Sequence, residues 1–459
     1  MALTKKSKGG GFPKSILLIL LGIIAGAAVY VTLVYFEKSP PVVQLEGNLQ
    51  YLSKEGSFSL FAKDDNSGLR SIRLVLQQND KEYVLFDKHF PRKGYSGKIG
   101  PTSFTQEIDF NYNKSGLKDG EATLILTARD YSLRNTLAGN LVSDQYPVII
   151  DTVPPRISML HAERYIRNGG SGVVIYQISG DAVEHGADFG GHFHKGYQVS
   201  KERDDVYVSY IALPYDAEEI GKAEIVAKDA AGNSTHYPFS PVFKKAEKKF
   251  DRINVGDNFL ATKIPEFSQY YPEMKGNMKE KYIYTNTTVR LANNTKIAEL
   301  CQNPMEERLW ENKFIRMAGA SRAGYADYRT YFYKGKEIDK QVHLGMDIAS
   351  TRRAEVKAAN RGKVVYADYL GIYGNMVLLD HGQGVFSLYS HLSKIDVVVD
   401  DVIDKGVVLG LTGKTGMAGG DHLHFSMLIN GIFVTPKEWW DQQWIDVTID
   451  NPLQDARFQ

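Results

Sequence analysis

Three periodicities follow one another along the chain. From Ile16 to Phe36 it reads ILLILLGIIAGAAVYVTLVYF, 21 residues without a charge, which as a helix reaches about 30 Å, the thickness of the bilayer hydrocarbon. From about residue 39, apolar and polar positions alternate in short runs closed by Gly, Asn and Asp, the pattern of strands with one buried face. GSFSLFAKDDNSG, SIRLVLQQ, EYVLFDKHF and ATLILTARD are the strands of a first block. A second block follows DTVPPRI, where Pro154 and Pro155 remove two ladder donors and keep the chain extended. Its strands include GVVIYQISG, DVYVSYIALPY and AEIVAKDAAGN, and the last echoes LILTARDYSLRN near the end of the first block. Two copies of one β-sandwich unit are the economical explanation.

Between residues 244 and 330 the apolar spacing becomes helical, in FKKAEKKFDRI and TTVRLANNTKIAELCQNPMEERLWENKFIRMAG. This predicts a mainly helical connector, a spacer packed on the next domain; the sharper alternative is a segment that covers an active site until displaced. From residue 331 glycines are dense between short β patterns such as GKVVYADY, GNMVLLDHG, GVFSLYSHL and GVVLGLTG, which predict a compact antiparallel domain. The expected fold is mainly β. A single N-terminal transmembrane helix (1–38, with its tail) precedes two β-sandwich-like modules (39–152 and 153–243), the connector (244–330) and a C-terminal antiparallel β domain (331–459).

Charge gives the first helix a direction. Lys5, Lys6, Lys8 and Lys14 precede it and only Glu37 and Lys38 follow closely, so residues 1–15 are expected in the cytoplasm and everything beyond about residue 38 outside it. A cleaved signal peptide would use Ala25-Gly26-Ala27, but the apolar run continues nine residues past that point. Gly22 and Gly26 also form a GxxxG pair, a weak helix-dimer pattern. Lys plus Arg total 55 against 54 for Asp plus Glu, which leaves no basic excess to neutralise phosphates and argues against a nucleic-acid partner. The single cysteine, Cys301, excludes an internal disulfide framework and a thiolate-rich metal cluster. A metal would have to sit on His, Asp or Glu.

Five of the 11 histidines fall between residues 343 and 424. HLGMD sets His343 four residues before Asp347, an even spacing that lets both project from one side of an extended segment, and the glycine between them permits a close approach of backbone. HLH sets His422 and His424 on one face of a strand, and LYSHLS supplies His391. Zinc accepts imidazole nitrogen and carboxylate oxygen; a catalytic site uses three protein ligands and an open position where water is acidified to a pKa of about 7. Five candidates for three ligand positions leave two imidazoles over, one to take a proton from the attacking water and one to stabilise an oxyanion or protonate a leaving amine.

HLGMD, LYSHLS and GGDHLHF, together with GNMVLLDHGQGVFSLYSHLS and GKTGMAGGDHLHF, resemble the LytM-type, or lysostaphin-type, zinc endopeptidases, which cleave peptide bonds in the stems and cross-bridges of bacterial peptidoglycan. The match runs over roughly residues 331–440. The resemblance implies that His343, Asp347 and His424 bind one zinc ion and that His391 and His422 are the unligated catalytic pair. Two positions depart from the family pattern: Ser426 stands where an acidic residue is common, and Asp421 where a small residue or proline often stands. The first is expected to alter support around the strand, the second the electrostatics around His422. The implied function is hydrolysis of wall peptides during cell-wall remodelling; the alternative is a non-catalytic LytM-like regulator that binds or activates another wall hydrolase. The implied setting is a single-pass protein of the inner (cytoplasmic) membrane with a periplasmic or extracytoplasmic catalytic domain. Its expected partners are peptidoglycan peptides, the membrane and, through the β modules, other proteins. Those modules resemble immunoglobulin-like repeats of bacterial surface proteins on Ala227, Asp229, Gly232 and Asn233, repeats that space or bind and do not catalyse. The second H-x-H, His192 and His194 in GGHFHKGY, has no H-x-x-x-D partner and is expected in a polar loop. His381 in LLDHGQG is expected in a hairpin turn, and His89, His161, His185 and His236 have no spaced partner.

Overall fold

The computed structural model describes residues 14–94, 99–112 and 117–458. The fold is mainly β, with one apolar helix at the N-terminus. That helix, Lys14–Tyr35, is exposed from Lys14 to Leu33 and is long and apolar enough to cross a membrane. Gly22 and Gly26 have open space around them. The basic residues Lys5, Lys6 and Lys8 lie outside the described residues. Two compact units follow from the pattern of contacts: Met1–Pro154 with Ala230–Asn233, and Pro155–Asp229 with Ser234–Gln459.

In the first unit a three-stranded sheet faces a five-stranded one. Alternation does what the pattern predicts: along Gly120–Asp130, Ala122, Leu124, Leu126 and Ala128 point inward and are buried with Leu60, Ile72 and Leu74. Each of the leucines and Ile72 contributes about 1.5–3 kcal/mol by leaving water. Asp130 ends the strand and ties the following turn, its Oδ1 accepting from the Ser132 and Asn140 backbone N–H groups at 3.0 and 2.7 Å. Glu37, just past the helix, gathers with Asp64 and Asp130; burial, then the neighbouring Asp130 carboxylate, pushes its carboxyl up to about 7.

The second unit begins with another sandwich of two four-stranded sheets. Here GGHFHKGY is a strand, His192–Lys195, not a polar loop. It pairs antiparallel with Ala182–Phe189; His194 is buried completely while His192, at the start of the strand, stays exposed. His381 is at a turn as expected, yet fully buried, between the Arg361 carbonyl at 2.6 Å and Ser387 Oγ at 2.7 Å.

The connecting stretch departs from its helical reading at both ends. FKKAEKKFDRI forms strands Val242–Lys244 and Lys249–Asn254, the second paired in parallel with Asp327–Tyr333, which continues antiparallel to Lys336–His343. Long-range pairing overrides a local spacing that charged residues made look helical. Helices do fill Asp257–Tyr270, Met278–Tyr284 and Arg290–Leu300. From Cys301 to Gly319 the chain is an irregular strap. Trp310 and Phe314, four apart as in a helix, instead anchor it against Trp439, with ring centroids 5.4 Å from that indole in each case. Its backbone bonds to Ala359, His381 and Trp439 rather than to itself.

The C-terminal domain is built on an antiparallel sheet of eight strands, in the order Ala320–Ala323, Met346–Ala349, Leu423–Ile429, Val385–Leu392, Asn375–Asp380, Gly362–Tyr369 and Val402–Ile403, with Ile432–Val434 paired beside Leu423–Ile429. Val385–Leu392 and Leu423–Ile429 are buried on both faces, which fixes their register and the side chains at their ends.

Candidate metal centre

His343, Asp347 and His424 arrive from three strands. His343 closes Lys336–His343, after which the chain turns at Leu344 and Gly345 into Met346–Ala349, so HLGMD is not one extended segment but the junction of two sheets. Gly345 is needed there: a Cβ would come within 2.5 Å of Ser426 Oγ and 2.6 Å of His424 Nε2. Asp347 and His424 lie directly opposite each other in antiparallel register. The result is a triangle: His343 Nε2 is 3.0 Å from Asp347 Oδ1 and 2.9 Å from His424 Nδ1, and His424 Nδ1 is 3.0 Å from Asp347 Oδ1.

Hydrogen bonds behind the triangle assign the tautomers. His343 donates from Nδ1 to the Gly324 carbonyl at 2.7 Å, which leaves Nε2 a bare lone pair. Ser426 donates to the Leu344 carbonyl at 2.8 Å, so its Oγ accepts from His424 Nε2 at 3.1 Å and His424 Nδ1 is bare as well. Three acceptors therefore converge with no hydrogen among them, an arrangement that repels itself until a cation sits between. The site fits a metal ion on this ground. The remaining carboxylate oxygen, Asp347 Oδ2, is held by Arg329 Nη2 at 3.2 Å.

His391 and His422 stand beside the triangle. Across Val385–Leu392 and Asn375–Asp380 the register shifts between Asn375 and Val377, so the strand carrying His391 has one extra residue. That bulge turns His391, at φ of +64°, a left-handed conformation that strands rarely contain and that is found at re-aimed site residues. His391 donates from Nδ1 to the Thr415 carbonyl at 2.9 Å, and its ring centroid lies 4.9 Å from that of His422 and 5.7 Å from that of His424. His422 donates from Nδ1 to the Gly420 carbonyl at 2.8 Å, with Nε2 3.5 Å from Asp347 Oδ1. Burial, then the adjacent imidazoles, keeps His391 well below the ordinary histidine range; burial also opposes charge on His422, but Asp347 outweighs it and raises that group.

All five expected residues thus gather in one place, and other residues unmarked in the sequence support them. Arg329 is 18 positions from Asp347, and nothing local announces the pairing. Ser426 bridges His424 to the Leu344 carbonyl. Asp421 turns away, accepting from Thr412 Oγ1 at 2.6 Å and from the Arg353 backbone at 3.3 Å. The connector buttresses His391 at one remove: buried Lys263 donates to the Lys414 carbonyl, and Glu266 Oε1 accepts from Gly416 N at 3.2 Å, on either side of Thr415. The histidines open into a cavity of about 440 Å³ that is also lined by Ile253, Val255 and Phe259 of the connector.

Residues 341–436 match Peptidase family M23. DD-carboxypeptidase/endopeptidase Mpg of Neisseria meningitidis serogroup B is 38% identical over 96 residues, 21% of this chain and 22% of that protein. Murein hydrolase activator EnvC of Escherichia coli K12 is 36% identical over 106 residues, 23% of this chain and 25% of that protein. The chain therefore spans only about a quarter or less of the length of these curated relatives. Among solved structures, the catalytic domain of lysostaphin from Staphylococcus simulans is 29% identical, covering 27% of this chain and 92% of that one, with a TM-score of 0.23. The C-terminal region of this chain, residues 341–436, is thus similar in sequence to Peptidase family M23.

Proposed function

We propose that the protein is a zinc-dependent endopeptidase that hydrolyses peptide bonds in peptidoglycan stem peptides or cross-bridges. The observation that carries this reading is the triangle of bare acceptors, His343 Nε2, Asp347 Oδ1 and His424 Nδ1, with two further imidazoles beside it. Those three atoms would hold one zinc ion, which when bound would supply Lewis acidity, polarising a carbonyl and acidifying water. Arg329 and Ser426 keep Asp347 and His424 aimed. His391 and His422, each with Nδ1 committed to a backbone carbonyl, present Nε2 to the substrate. One imidazole receives the proton of the attacking water and the other supports the oxyanion and protonates the departing amine. In this reading the helix Lys14–Tyr35 anchors the chain in the cytoplasmic membrane with its N-terminus inside. Modules 39–152 and 153–243 and the connector 244–330 carry the catalytic domain, 331–459, on the outer side. Likeness to a murein hydrolase activator supports a second reading, a regulator that works through another wall hydrolase; the retained histidines and aspartate favour the enzyme.

The test is digestion of purified muropeptides by the full-length protein in detergent. Chelation should abolish cleavage and zinc restore it. His391→Ala and His422→Ala should keep bound zinc and lose turnover by roughly 10²–10⁴-fold, the usual contribution of a positioned acid or base. Unchanged cleavage in both variants would end the proposed catalytic roles; no cleavage by zinc-loaded wild type, with activation of a second hydrolase, would favour the regulator.

A further inference from the structure

Resting on the hydrolase reading, we infer that the cavity contains a carboxylate-binding subsite in which Arg290 and Arg322 hold a free carboxylate of the bound wall peptide, close to the bond that is cut.

Three arginines, Arg290, Arg322 and Arg329, line the cavity that the metal centre opens into, against two carboxylates, Asp251 and Asp347. The carboxylates already have partners. Asp347 gives one oxygen to the histidines and the other to Arg329, and Asp251 lies 3.5 Å from Lys249. Among the described residues, neither Arg290 nor Arg322 forms an ion pair. Arg290, half-buried, bonds only to Asn286, from Nε to the backbone oxygen at 3.1 Å and from Nη2 to the side-chain oxygen, which fixes the guanidinium plane and leaves Nη1 free.

Arg322 is aimed by backbone. Along Ala320–Ala323 the register against Met346–Ala349 runs Ser321 to Ile348 and then Ala323 to Asp347, so Arg322 is the extra residue of a β-bulge beside the metal-ligand strand. Bulges re-aim one side chain at the edge of a site, and the same device turns His391 in this domain. A bulged residue adjacent to Asp347 reaches a peptide within one or two residues of the metal, at about 3.3 Å per residue of extended chain. A planar guanidinium bonds a carboxylate through two parallel N–H groups, more strongly than any neutral pair. Ile253, Val255 and Phe259 add an apolar lining that suits aliphatic side chains, and about 440 Å³ lies within the roughly 300–1,000 Å³ of small-ligand sites. The cavity therefore selects an anionic wall peptide over an uncharged one. The carboxylate comes either from the peptide's C-terminus or from an acidic residue in the stem.

The test uses full-length zinc-loaded protein and four synthetic stem peptides: the free acid, the C-terminal amide, the peptide with its internal acid amidated, and the doubly amidated form. Equilibrium binding and cleavage are both read, in wild type, Arg322→Gln and Arg290→Gln. Wild type should bind the free acid roughly ten- to a hundredfold more tightly than the doubly amidated peptide, the range for hydrogen bonds to a charged partner. The singly amidated peptide that loses this preference identifies the source. Each variant should bring the ratio close to one. Arg322 is exposed on an edge strand, so its replacement spares the fold. Equal binding of acid and doubly amidated peptides, or a preference that survives both substitutions, overturns the subsite even if every peptide is cut. A preference in binding with no cleavage at all supports the subsite and sinks the hydrolase reading instead.

Discussion

The second unit contains two H-x-H strands, and locally they are alike. Each buries one imidazole and leaves its partner nearer the surface: His194 is fully buried beside exposed His192, and His424 is 5% exposed beside half-buried His422. What differs is the residue that the sheet register sets across from them. His194 faces Ala187, and its Nδ1 accepts a hydrogen bond from Asn430 Nδ2 at 3.0 Å. His424 faces Asp347, with His343 2.9 Å away. In the first case burial, then His192, drives the imidazole down to about 3, a neutral packing residue. In the second an uncompensated set of acceptors is left. Spacing decides which face a pair of histidines shares; the neighbouring strand decides what chemistry follows.

The strongest way to break this contrast is to remove one buried histidine at a time from full-length protein. His424→Ala should lose bound zinc and reduce muropeptide cleavage at least about a thousandfold, because ligand and Lewis acid go together. His194→Ala should keep both. Full zinc occupancy in His424→Ala, measured by metal analysis, would refute the ligand assignment. A smaller effect sharpens the same point one bond further out. Arg329→Ala and Ser426→Ala remove the groups behind Asp347 and His424 without touching the ligands, and zinc affinity in competition with a chromophoric chelator should weaken about 10–100-fold. If affinity is unchanged, the neighbours across the strands do not aim the ligands and the contrast reduces to the ligands alone.

Much of this was readable from the sequence, for a physical reason. The even spacing of His422 and His424 brings both imidazoles to Asp347, and strands closed by Gly and Asp predicted the sandwiches of both units. The failures came where distant segments decided. FKKAEKKFDRI became strand because Asp327–Tyr333 offers it a partner, and Trp310 with Phe314 imitated a helix while serving as anchors on Trp439. The bulges at Arg322 and His391 left no local mark, since each exists only as a mismatch between two strands. Arg329 was invisible for the same reason.

The smallest predicted effect concerns the quiet member of the comparison. His194 is neutral when folded, with its pKa driven from the ordinary 6.5 to about 3, and His185 and His381 are driven to about 4 by burial. The unfolded chain therefore binds more protons than the folded one below about pH 6.5. Stability is fully present above that pH and falls as pH drops toward 4, by up to about 1.4 kcal/mol per pH unit for each such histidine. All four tryptophans, Trp310, Trp439, Trp440 and Trp444, lie in the second unit, so their fluorescence follows its unfolding alone. Denaturant titrations between pH 6.5 and 4, with zinc held saturating, should show a shallower fall for His194→Asn than for wild type, by about one proton's worth of slope. The variant should retain its metal throughout. An unchanged slope would mean that His194 already carries its proton in the folded protein. Two histidines on a strand would then be able to share charge without a carboxylate opposite, and the register rule would lose its clearest negative case.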